Sequence, residues 1–249
     1  FGFIFTFFSS FGQSFFLGIF NPSIRNELSI SHGQFGTIYA TATLLSSLLL
    51  IWLGKKIDDI NISKFAFIVI ILLAFSCFVF SNISSLFLLF VSIFLMRFSG
   101  QGMMSHTAST TISRYFTKSR GKALSTIWFG LSTAEFILPV LIIYLLSVLE
   151  WRLIWIIISI LVITILPITS YLLVKNLNFN SRENMDDNTD HDQKIKNWKR
   201  VEVIKDYRFY IVSLNMLAMP WIATGVFVYQ SFISDSKMWN IYTIPKAFM

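Results

Sequence analysis

The sequence predicts an all-α membrane protein, and three observations predict it. The 249 residues are 55% hydrophobic and only 13% charged, with a mean hydropathy of +0.66, a balance that water-soluble domains do not show. Apolar runs recur near 2–20, 34–53, 65–81, 86–112, 122–148, 152–174 and 208–233. At about 1.5 Å per residue, each is long enough to cross a hydrocarbon core of about 30 Å. The runs are apolar on every side, whereas the strands of a membrane barrel alternate.

Each span carries its own local signals. Span 1 lacks a basic start and is followed by further spans, so it is not a cleaved leader. Pro22 after Asn21 suits its exit, and Gly12, Gln13, Ser14 and Gly18 within it are residues that line cavities or pack helices closely. Before span 2, "SHGQ" (Ser31 to Gln34) has the Ser-x-x-Gln spacing of a reciprocal cap. Gly54 is read as a tight end of that span. Ser63 and Ser84 are read as N-caps of spans 3 and 4. The single cysteine, Cys77, lies in span 3, so there is no intrachain disulfide.

Span 4 contains "RFSGQGMMSH", an arginine, several hydrogen-bonding residues and two glycines inside a membrane run, and span 5 contains one acidic residue, Glu135. Span 6 closes a unit expected at 1–175. Residues 176–207 are polar and mixed in charge, a composition that cannot bury enough surface to fold alone, and read as a cytoplasmic linker. Residues 208–249 are expected to hold span 7 and the beginning of span 8. The chain starts beside a helix without Met and stops at "IYTIPKAFM", so it is expected to be a fragment of a longer protein.

The net charge of +7 could suggest nucleic acid, but its placement argues for topology. Lys55, Lys56 and Lys64 lie between spans 2 and 3; Arg114, Lys118, Arg120 and Lys122 between spans 4 and 5; and Lys175 through Lys205 and Arg208 between spans 6 and 7. The opposite loops offer Arg25, Arg152 and Lys237. Basic loops are retained in the cytoplasm, so the basic side is read as cytoplasmic and no nucleic-acid partner is expected.

Arg97 is the leading candidate for chemistry. A mid-span arginine costs about 2.5–3.5 kcal/mol on insertion scales and therefore faces protein or water. Gln101 sits one turn on, and Gly100 and Gly102 allow close approach. Glu135, on the antiparallel neighbour, is the natural counter-charge. The readings are a buried ion pair holding spans 4 and 5 together, a substrate-anion or proton-coupling centre, or a side chain that snorkels to the interface or lies beyond a span boundary placed differently. Gln13, Tyr229 and Gln230 are further cavity candidates. Pro220 and Trp221 allow a bend and a stacking surface in span 7. His106, on roughly the opposite face from Arg97, is read as hydrogen-bonded beside Ser105 and Thr107.

The turn "WLGKKIDDINISKF" resembles the loop between spans 2 and 3 of the major facilitator superfamily, with Gly54 and Asp58 at the matching positions and basic residues including Lys64 around them. Asn61 stands where the family carries a second glycine, and asparagine tolerates the left-handed turn. Arg97, Gly100, Gly102, Arg114, Phe116, Arg120 and Gly121 are similar to span 4 of that family's monocarboxylate-porter-like branch, and "GLSTAEFILP" resembles a span-5 motif without its Gly-Pro pair. The resemblance implies a six-helix bundle plus the first one or two helices of a second bundle. It also implies alternating access around a midplane site lined by spans 1, 4 and 7. A small-molecule substrate such as an organic anion, with a coupling proton, and a monomeric full-length protein are the expectations that follow from it.

The competing class is a seven-span receptor or another non-transport membrane protein. A rhomboid-like protease is disfavoured because Gly130, Leu131 and Ser132 are followed by Thr133 and no later span holds a histidine. A retinal pump needs a lysine in span 7, and 209–233 has none. An ABC-type permease subunit is the nearest transport alternative. His32, His106 and His191 fall at different depths, so no metal site is expected, and neither is a cofactor or an enzyme activity.

Overall fold

The computed structural model describes residues 1–116, 119–174 and 200–247; most of the expected linker lies outside them. Among the described residues, six helices are long and apolar enough to cross a membrane. They are His32–Asp58, Ile62–Ser81, Leu86–Tyr115, Arg120–Leu146, Trp151–Leu173 and Tyr207–Val228. A bent pair, Gly2–Gly12 and Ser14–Leu28, angled at 41°, makes a seventh. These are spans 2 to 7 and span 1.

Span 1 departs from the continuous helix expected over 2–20. Gln13 is extended, with φ −82° and ψ 154°, so the helix stops at Gly12 and restarts at Ser14. Pro22 does not end the span. It sits in the first turn of the segment Asn21–Leu28, where its missing N–H costs nothing. Ser29, left-handed at φ 52°, ends that segment.

The cap of span 2 is as expected: Ser31 Oγ accepts from Gln34 N, and Gln34 Oε1 accepts from Ser31 N. At the other end Gly54 does not close the helix. It is right-handed at φ −58°, and the chain runs on as a 3₁₀ helix through Gly54–Asp58. The caps of spans 3 and 4 also differ from expectation. Asn61, not Ser63, caps span 3 by accepting from Ser63 N at 2.9 Å, and Ser85, not Ser84, caps span 4 by accepting from Leu88 N at 3.2 Å. Asn61 is not left-handed either (φ −55°, ψ 130°); an extended backbone is what an N-cap requires.

Span 4 is helical over Leu86–Met96 and Ser105–Tyr115, with a π-helical segment Arg97–Met104 between them. Two glycines weaken the α-helix there, and the wider coil changes which residues share a face. Span 3 packs along span 6, span 1 along span 5, and span 2 along span 4. Phe16, Phe20, Phe80 and Trp155 form the aromatic centre of the half of the bundle away from the basic loops, labelled the outer half, with the basic-loop end as the inner, and their ring centroids lie 4.5–5.6 Å apart. Such tilted and edge-on contacts supply the packing that lipid-immersed helices need in place of a hydrophobic drive.

Both ends of the bundle are pinned electrostatically. At the outer end Arg152 pairs with Glu27, donates to Ser81 O at 2.6 Å and bonds Ile83 O, tying span 6 to span 1 and to the turn between spans 3 and 4. At the inner end Arg114 pairs with Asp58 and donates to Ile57 O at 3.2 Å. Span 7 meets span 1 at its outer end, while from Tyr207 to Ile222 every residue but Ser213 is exposed. After span 7 come a short helix, Gln230–Ser236, and a single turn, Thr243–Lys246, which packs against span 5.

Candidate functional site

The break in span 1 and the π segment of span 4 lie against each other, and the residues between them form the site. Gly12 and Gly100 make the approach possible: a Cβ on Gly100 would lie 2.7 Å from Gly12 N, closer than any side chain can sit. Unwinding at Gln13 frees backbone acceptors that a continuous helix would consume. Arg97, 5% exposed, uses one of them. Its Nη1 donates to Gly12 O at 3.0 Å and to Ser14 Oγ at 3.2 Å. Tyr39, buried on span 2, donates its hydroxyl to Ser14 Oγ at 2.9 Å, and its ring lies 5.4 Å from the guanidinium carbon.

Glu135 is not the counter-charge of Arg97. Among the described residues the ion pairs are Lys56–Asp59, Arg114–Asp58 and Arg152–Glu27, so the guanidinium is held by a carbonyl, a hydroxyl and a ring, all neutral. Geometry explains the difference. Span 1 packs against both the π segment and span 5, so its open carbonyl end reaches Arg97 while the half-buried Glu135 sits on another helix. Arg97 Nε is buried without a hydrogen-bond partner. A buried cation with neutral partners and a spare donor favours an anion beside it. The interface-snorkelling reading of Arg97 is excluded by that burial.

Other sequence candidates fall around this centre. Gln13 is the half-buried break residue itself, and Gln101 is half-buried in the π segment. Gln230 is 4% exposed; its Nε2 donates to Phe15 O at 3.0 Å, one residue beyond Ser14, and its Oε1 is buried without a partner. Tyr229 lies apart from Arg97, donating its hydroxyl to His32 O at 3.3 Å. Asn21 Nδ2 donates to Val228 O at 2.6 Å, and Gly18 leaves room for the Phe227 carbonyl. These contacts join span 7 to spans 1 and 2 along one outer seam. Pro220 and Trp221 lie on the exposed part of span 7.

In the inner loop, His106 Nε2 lies 2.9 Å from Gly54 O, confirming the hydrogen-bonded reading of that histidine. Asp58 is taken up by Arg114, and Lys64 is exposed at the start of span 3. A cavity of about 350 Å³ opens there beside Leu50, Gly54, Lys55, Asp58, His106 and Thr110; it does not reach Arg97. Tyr39 is the site residue that the sequence reading missed. The available signal was a lone phenol within span 2, since a buried tyrosine hydroxyl almost always has a partner.

Several apolar helices around a sequestered guanidinium, with one helix broken and another widened beside it, define a polytopic helical membrane protein. The family model described as Major Facilitator Superfamily matches residues 2–248, and the chain belongs to that family of membrane transporters. No curated protein matches the sequence.

Proposed function

We propose that this chain belongs to a secondary active transporter that moves a small organic anion by alternating access, with Arg97 holding the anionic group. The observation that carries this reading is the buried Arg97 guanidinium, whose partners Gly12 O, Ser14 and Tyr39 are all neutral and whose Nε is unused. A monoanion arriving there neutralises the charge and accepts the spare N–H. Gln13, Gln101 and Gln230 supply neutral hydrogen-bonding capacity around it, and Tyr229 helps hold span 7 at the outer seam. Glu135, a carboxylate within an apolar span, is the candidate carrier of a coupling proton. The basic loops support a cytoplasmic inner face in a cell membrane. The composition of 176–207 supports a linker between a bundle spanning 1–175 and a second one beginning at 208, in a protein that works as a monomer.

The test is uptake by the full-length protein in proteoliposomes, using labelled monocarboxylates, dicarboxylates and neutral solutes with and without a pH gradient. Saturable uptake of one anion class, lost in Arg97→Gln and partly kept in Arg97→Lys, is expected. Uptake confined to neutral or cationic solutes, or unaltered in Arg97→Gln, overturns the assignment. If Glu135→Gln leaves pH-driven uptake unchanged, Glu135 does not carry the proton.

A further inference from the structure

The outer seam contains a titratable ring that the transport reading does not use. His32 is the first helical residue after the Ser31 cap of span 2. Its ring packs edge-on to Phe232 with centroids 4.6 Å apart and lies 6.1 Å from the ring of Tyr229, both on the chain that ends span 7. Its backbone carbonyl accepts the Tyr229 hydroxyl. Its Nδ1 is buried with no hydrogen-bond partner among the described residues. The side chain is thus wedged between the six-span bundle and span 7, at the end where Asn21, Gly18 and Gln230 also hold the two together.

We propose that His32 is a proton-binding site of the outer seam and that its protonation releases span 7 from spans 1 and 2. With the ring neutral, Nδ1 can stay a bare acceptor, a modest cost. A protonated ring places a charged N–H where no acceptor exists, which costs considerably more. The fields around it are the Arg25 guanidinium on span 1 and the positive amino end of the span-2 helix, which oppose a cation, and Asp235 on the segment after span 7, which favours one. Separating the seam lets water reach Nδ1. The open form therefore binds the proton more tightly than the closed form, and a proton arriving from outside shifts the population toward opening.

This inference rests on alternating access but not on the identity of the substrate, and its test does not require transport. Asn26 and Ser236 are exposed on either side of the seam, and Cys77 is buried. The full-length protein with Asn26→Cys and Ser236→Cys is spin-labelled in lipid nanodiscs, and the inter-label distance distribution is recorded at about pH 8 and about pH 5, either side of the usual histidine range. The expected result is at least a roughly threefold rise in the ratio of long to short distances at low pH. His32→Gln and His32→Phe, the second of which keeps a ring in the seam, should both remove the response. A response retained in both variants, a distribution indifferent to pH in the unmodified background, or a shift toward shorter distances at low pH overturns the proposal.

Discussion

Gly12 and Gly100 meet backbone to backbone where the broken helix of span 1 crosses the π segment of span 4, and a Cβ on Gly100 would lie 2.8 Å from Gly12 Cα. Neither backbone can retreat without disturbing the carbonyl that holds Arg97. Gly100→Ala should therefore destabilise the protein by about 1–3 kcal/mol, the usual cost of overpacking, and lower uptake as well. Gly121, where a Cβ would meet nothing within 4 Å, is the control: Gly121→Ala should be neutral or stabilising by up to about 0.5 kcal/mol. Thermal unfolding in detergent measures both.

Tyr39→Phe keeps the ring beside Arg97 and removes the hydroxyl that donates to Ser14. A neutral hydrogen bond contributes about 0.5–1.5 kcal/mol net to stability, so Tyr39→Phe should lower the melting temperature by a corresponding few degrees, and KM should rise because Ser14 loses the donor that orients it beside Arg97. Concentration dependence of uptake separates KM from the maximal rate. An unchanged KM would remove Tyr39 from the site.

The inner-end pair of Arg114 and Asp58 is asymmetric, with side chains 19% and 57% exposed. An exposed ion pair contributes about 0–1 kcal/mol, so Asp58→Asn should barely move the unfolding midpoint. Arg114→Gln should cost more, because Arg114 also satisfies the Ile57 carbonyl. A double-mutant cycle on unfolding midpoints checks this; a coupling well above about 1 kcal/mol contradicts it.

Adjacent serines at the start of span 4 should behave differently. Ser85 accepts from Leu88 N and Ser84 does not cap the helix. Ser85→Ala should cost about 1 kcal/mol and Ser84→Ala little, by the same unfolding assay.

Helix count, approximate limits and the sided distribution of charge were legible in the sequence, because the bilayer enforces length and hydropathy on every span separately. The reciprocal cap at Ser31 and Gln34 was legible for the same reason: it is local. Arg97 too could be singled out from sequence, since a guanidinium in an apolar run demands an explanation wherever the run ends up. Its partners could not. The most obvious acceptor by residue type, Glu135, is not the one used, and the acceptors found are a backbone carbonyl at Gly12 and a hydroxyl at Ser14 exposed by unwinding at Gln13.

Sequence alone thus determined that this is a membrane-spanning helical protein with a charge it cannot leave in lipid. Tertiary structure decided how that charge is satisfied, that span 1 breaks and span 4 widens where they cross, and that span 7 closes on the outer side through His32, Asn21 and Gln230. Burial and hydropathy are properties of residue types and are written along the chain. Backbone acceptors become available only where helices bend, and which side chain reaches them depends on packing between segments as far apart as Gly12 and Arg97.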